Sequence, residues 1–130
     1  MAPRSLDQWE ETLSQVLNRI DDLLEDRFGK TYSLKPTRPP RGTTANRRYD
    51  GLFAVEAKFS LGLGRKEGAG YSVDVRMATF EEVPDDVERQ IHAMVGEVLR
   101  EEIPKAFPGR ELTVTDLDDY YVIHGNLGWD

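Results

Sequence analysis

The chain has 130 residues, no cysteine, two histidines and 24 acidic against 17 basic side chains, for a formal net charge of −7. That length supports one hydrophobic core and leaves no room for a second. The missing cysteine excludes disulfides, thiolate metal sites and cysteine nucleophiles, and an overall negative field opposes wholesale coating of nucleic acid. No stretch reaches the ~20 apolar residues that cross a bilayer as a helix. The N-terminus meets charge before any apolar run, so no secretory signal is expected. A cytoplasmic setting without a membrane partner follows as the expectation, and with only His92 and His124 neither a histidine-rich zinc site nor a cofactor is expected.

The first segment predicts a helix. Leu6, Trp9, Leu13, Val16, Ile20 and Leu23 recur at spacings of three and four, and Leu17, Leu24 and Phe28 widen the stripe. Ser5 with Gln8 has the form of a capping box, and Gly29 supplies the stop. The stripe is wider than a two-helix seam needs, which favours packing on the domain's own sheet, although its near-heptad spacing also allows a homodimer.

Residues 29–49 carry six basic side chains (Lys30, Lys35, Arg38, Arg41, Arg47, Arg48) and no acid; the remainder holds eleven basic against 24 acidic, or −13. Pro36, Pro39 and Pro40 forbid a helix across 35–48 and favour an extended loop, exposed and mobile. The run 31–34 before it has the composition of a small strand. This segregation of charge is the leading functional clue. Lys35, Arg38, Arg41, Arg47 and Arg48 are therefore the candidate binding residues, for a protein partner or for the chain's own acidic remainder. Nucleic acid is the alternative partner, since arginines with Tyr32 and Tyr49 suit phosphate contact and base stacking. As an exposed binding strip, the segment should tolerate replacement of Arg38, Arg41, Arg47 and Arg48 together by serine with little change in stability while partner capture weakens.

Strands follow. Phe53, Val55, Ala57, Phe59, Leu61 and Leu63 alternate with polar residues, as do Tyr71, Val73, Val75 and Met77, and the glycine-rich run 62–70 lies between. A hairpin folded about Lys66 places Glu56 opposite Arg76 and Lys58 opposite Asp74 while aligning both apolar rows. The glycine-rich run joins strand to strand and lacks the Walker lysine, so it reads as a hairpin tip and not a phosphate cradle.

Pro84 suits the first position of a second helix; Asp85, Asp86 and Glu88 complement its dipole; Val87, Ile91, Met94, Val95, Val98 and Leu99 form its buried stripe. Pro104 should end it near Ile103. Short strands are expected at 111–115 and 120–124, with Asp116, Asp118 and Asp119 as turn residues that lack the glycine and glutamate of a calcium-binding EF-hand loop. The fold class is α+β in two layers: an antiparallel sheet built on the long hairpin, two helices on its apolar face, order α-β-β-α-β-β, one domain over 1–130.

Glu56-Ala57-Lys58 resembles the acid-x-lysine element of metal-dependent nucleases, in which carboxylates hold a divalent ion and lysine assists attack on phosphorus. The element order resembles that superfamily's core as well. The resemblance implies Glu56, Asp74 and Arg76 as a site, but arginine stands where lysine is expected, and the same residues fit simple ion pairing on a solvated sheet face. No catalytic residue is assigned. The expected function is that of a small acidic binding or adaptor protein acting through its charged surface, non-catalytic, with the nucleic-acid binder and the nuclease-like domain as alternatives.

Overall fold

The computed structural model describes residues 6–62 and 65–126. The first helix, α1 (Leu6–Phe28), has Asp7 in its first turn and Arg27 in its last, as the helix dipole favours. Its buried stripe is Trp9, Leu13, Val16, Ile20, Leu24 and Phe28, so its apolar face is used inside its own domain. Leu23 is only half-buried, whereas two acids beside the stripe, Asp21 and Glu25, are buried. Ser5 of the expected cap and Leu63 of the expected strand lie outside the described residues. Gly29 closes the helix with its N–H on the Glu25 carbonyl at 2.8 Å; a Cβ there would come within 2.5 Å of that oxygen.

No strand forms at 31–34. The Lys35 N–H bonds to the Ala78 carbonyl at 2.9 Å, but Pro36 follows and has no N–H with which to extend a ladder. The chain instead runs in turns to a 3-10 turn at Arg47–Tyr49, capped by Asn46, and then enters the sheet.

The sheet comprises β1 (Phe53–Ser60), β2 (Gly70–Met77), β3 (Leu112–Asp116) and β4 (Tyr121–Gly125), antiparallel throughout in the order β1-β2-β4-β3. Phe53, Val55, Tyr71, Val73, Tyr121 and Ile123 face the core with α1 and with α2 (Asp85–Ala106). The two-layer α+β architecture is as the sequence implies. Trp9 joins the layers: its ring stacks on Phe107 at 3.8 Å between centroids and lies parallel to Tyr71 at 6.1 Å.

The faces of the hairpin are as expected, but its register is shifted by two residues. Glu56 lies opposite Asp74, Lys58 opposite Ser72 and Ala54 opposite Arg76, so the two expected cross-strand ion pairs do not form. A shift of two keeps every side chain on its face, so the apolar rows cannot resist it, and exposed ion pairs contribute only ~0.2–1 kcal/mol. The connecting loop decides. Gly62 has φ +72° and lies so close to Gly68 that a Cβ would come within 1.8 Å of its carbonyl oxygen, while Arg65 N–H bonds to the Gly62 carbonyl and Gly68 N–H to the Arg65 carbonyl. These contacts centre the hairpin on Arg65, not Lys66.

The second helix also departs from expectation at both ends. Pro84 is its N-cap, outside the first helical position. At the other end the helix runs through Pro104 to Ala106, because Ile103 and Phe107 are almost completely buried and the Phe107 N–H still reaches the Ile103 carbonyl at 3.0 Å. Burial of two large apolar side chains, about 1.5–3 kcal/mol each, offsets a proline cost of about 3 kcal/mol.

Candidate functional site

The basic segment is folded onto the acidic flank of α1. Arg38 donates to three backbone carbonyls, those of Gly51 and Asp50 at 2.9 Å and of Phe53 at 3.3 Å. Arg41 bridges Asp26 at 2.9 Å and Asp22 at 3.1 Å, and Arg47 holds Asp22 from the other side at 3.1 Å. Lys35 lies 5.1 Å from the centre of the exposed Phe80 ring. Arg48 differs: among the described residues its guanidinium makes no hydrogen bond or ion pair, and only its backbone N–H is engaged, by Asn46 Oδ1 at 2.9 Å. Of the five candidate residues, then, three are bound to the chain's own acids and carbonyls, and serine at all four arginine positions is no longer expected to spare the fold.

Two buried acids secure the segment. Asp50 accepts the N–H and the hydroxyl of Thr44 at 3.0 and 2.8 Å; burial alone would raise its carboxyl, but those bonds outweigh burial and hold it below its ordinary range. Glu25 accepts the Leu52 N–H at 2.7 Å and the Phe53 N–H at 3.3 Å. Burial raises its carboxyl despite those bonds. The signal for Glu25 was the acidic register beside the α1 stripe, which the apolar periodicity obscured.

On the open face of the sheet, Glu56 and Asp74 are direct cross-strand neighbours, and Asp74 Oδ2 lies 3.7 Å from Nε of Arg76 on its own strand. Lys58, Ser60, Ser72 and Arg65 line the same shallow groove of about 390 Å³. Among the described residues, no group of three His, Asp or Glu side chains is placed to hold a metal ion.

The best-formed concavity lies on the other face, between the end of β2, the start of β4 and the first half of α2, with a volume of about 460 Å³. Val73, Val75, Met77, Ile91 and Val95 form its apolar floor and wall; Glu81, Glu88, Asp118 and Asp119 stand around it, and no lysine or arginine lines it. Its polar side is built to one geometry. His92 Nε2 and Asp116 Oδ1 are 2.8 Å apart, the His92 ring stacks on Tyr121 at 4.4 Å, and the Tyr121 hydroxyl donates to the His92 carbonyl at 2.8 Å. Gly96 makes the room, since a Cβ there would meet that hydroxyl at 2.3 Å. The hydrogen bond from His92, then that from the Asp118 N–H, holds Asp116 below the usual carboxylate range. Among the described residues the His92 ring is hydrogen-bonded to Asp116 and to no hydroxyl, so the pair with Asp116 and the stack on Tyr121 fix the orientation of the imidazole. Sequence reasoning left His92 and Asp116 unconnected because 24 residues separate them. His124, the other histidine, is paired with the Thr115 hydroxyl at 2.7 Å.

Among the described residues no helix is long and apolar enough to cross a membrane. No solved structure matches the chain. An uncharacterized protein of Borreliella burgdorferi is 33% identical over 118 residues, covering 91% of this chain and 92% of that protein. Residues 4–125 match a family described as "Uncharacterised protein", and the chain belongs to that family.

Proposed function

We propose that this is a non-catalytic binding or adaptor protein of the cytoplasm, and that its partner is a protein segment presenting an apolar side chain flanked by basic residues. The observation that carries this reading is the groove at α2: an apolar floor, four carboxylates around it and no basic residue lining it. Pockets of this kind, largely apolar with a few convergent polar groups, are the usual places for ligands, and a rim of one sign steers a partner of the other. The absence of cysteine suits a reducing compartment. On the basic segment, Lys30, Lys35 and Arg48 remain the residues with charge to offer, so a nucleic-acid role would rest on those three, and self-association would have to use a surface other than the α1 stripe.

The test is an NMR titration of the protein with a synthetic amphipathic leucine–lysine peptide, its leucine–glutamate counterpart and a single-stranded oligonucleotide. The expected result is shift changes at Met77, Ile91 and Val95 with the lysine peptide alone, fading as salt rises through the physiological range and lost in the double variant Glu88→Lys, Asp119→Lys. Equal binding of the glutamate peptide, or oligonucleotide-dependent shifts centred on Arg48 instead, would overturn the reading.

A further inference from the structure

A second groove, about 230 Å³, runs between α1, the 3-10 turn and the edge strand β1. Its walls are apolar at Leu13, Leu17, Val55 and Ala57, and one buried acid lines it. Asp21 is 4% exposed, yet it accepts no hydrogen bond from any described residue, whereas the two other buried acids, Glu25 and Asp50, both do. The Asp21 oxygens are not sealed from solvent and the residue lines the groove, so water or a ligand must satisfy them there. The same groove is lined from the 3-10 turn by Arg47, which is paired with Asp22, and by Arg48, the arginine of the segment whose guanidinium makes no described hydrogen bond or ion pair; the Asn18 and Asn46 amides line it as well.

We infer that this groove binds a small amino-carboxylate, whose ammonium group donates to Asp21, whose carboxylate meets Arg48, and whose aliphatic part lies against Leu17 and Val55. The groove is smaller than the 300–1,000 Å³ or so of drug-sized sites, which restricts the ligand to amino-acid size. A lone cation would leave Arg48 unused and a lone anion would oppose Asp21. Burial, and then the charges of Glu25 and Asp22, push the Asp21 carboxyl up to about 7, against the opposing pull of Arg47 and Arg41. Glu10 and Glu56 face the groove from α1 and β1 and add to the field that attracts an ammonium group. Near neutrality a fraction of the free protein therefore holds a proton on Asp21, which an incoming ammonium displaces. This site is separate from the groove at α2, so either proposal can fail without the other.

Calorimetry on the full chain at neutral pH decides it, with L-leucine, γ-aminobutyrate, butylamine and butyrate as probes. Saturable binding of at least one of the two amino-carboxylates is expected, tighter than that of the amine or the acid, with the relative affinity of the two reporting the spacing from Asp21 to Arg48. Binding heat should depend on the ionisation enthalpy of the buffer, since a proton is released. Asp21→Asn should lower affinity about tenfold or more and abolish the proton release without loss of thermal stability. Arg48→Ala should weaken the amino-carboxylates and leave butylamine unaffected. Failure of all four probes to bind at millimolar concentration, or unchanged affinity in Asp21→Asn, would overturn the inference.

Discussion

The Glu25 carboxylate lies directly over Gly51, so close that a Cβ at that position would come within 2.4 Å of Oε2. Gly51 has φ +73°, a conformation that only glycine adopts without strain, and the contact lets Glu25 reach the N–H groups of Leu52 and Phe53 at the entry to β1. Helix α1, the end of the basic segment and the first strand are thereby tied at one buried point. Glu25→Ala leaves two buried donors without an acceptor and is expected to cost about 2–6 kcal/mol at one to three per orphaned group. Gly51→Ala adds a collision to an unfavourable φ and should cost about 1–3 kcal/mol. Urea denaturation of both variants checks this; loss below ~0.5 kcal/mol in either would show that the anchor is dispensable.

Asp21 gives the free protein a distinctive pH dependence. Its folded pKa, about 7, lies above the ordinary 3.8, so between those values the folded state binds more proton than the unfolded one. The contribution of Asp21 to stability is therefore fully present below about pH 4 and is lost as pH rises through 7. Asp50 and Asp116 act oppositely, their depressed carboxyls contributing stability that is lost as pH falls below the ordinary carboxylate range. Asp21→Asn should raise the melting temperature above pH 7 and flatten the decline between pH 4 and 7. Parallel melting curves of wild type and variant across that range would refute the assignment.

The hairpin register is testable because the chain contains no cysteine. Directly opposed residues have Cα atoms about 4.5–5.5 Å apart, within disulfide range, whereas diagonal partners are beyond it at about 7–8 Å between side-chain positions. The pair Glu56→Cys with Asp74→Cys should oxidise readily, and Glu56→Cys with Arg76→Cys should not. Mass spectrometry under mild oxidant reads the outcome, and preferential closure of the second pair would restore the register centred on Lys66.

What was legible in the sequence follows from what each signal physically fixes. Alternation along residues 53–59 and 71–77 determines which face a side chain takes, and those faces hold. It is blind to a slip of two, which the contact between Gly62 and Gly68 decides. The apolar period located α1 and α2, but the proline rule misplaced the end of α2 because Ile103 and Phe107 bury enough surface to override it. Opposite charge in residues 29–49 and elsewhere was plain; its destination, Asp22 and Asp26 one turn apart on α1, required the fold. The groove at α2 was not legible at all, since His92, Asp116 and Tyr121 meet only through the return of β3 and β4.

The arginines of the basic segment should separate by role. Arg38 is partly buried and donates to three carbonyls, so Arg38→Ser strands acceptors at the entry to β1 and is expected to cost about 1.5–3 kcal/mol, the range for hydrogen bonds from a charged donor. Arg41 and Arg47 converge on Asp22 at 3.1 Å each, but their side chains are more than 40% exposed. Screened pairs of that kind contribute ~0.2–1 kcal/mol, so Arg41→Ser and Arg47→Ser should each cost less than Arg38→Ser, with effects that shrink in high salt. Arg48→Ser should leave stability unchanged. Chemical denaturation of the four single variants at low and high salt gives the ordering directly. A large, salt-insensitive loss at Arg48 with none at Arg38 would mean that the segment is held to the domain by contacts other than these, and the division between internal strut and free binding residue would fall.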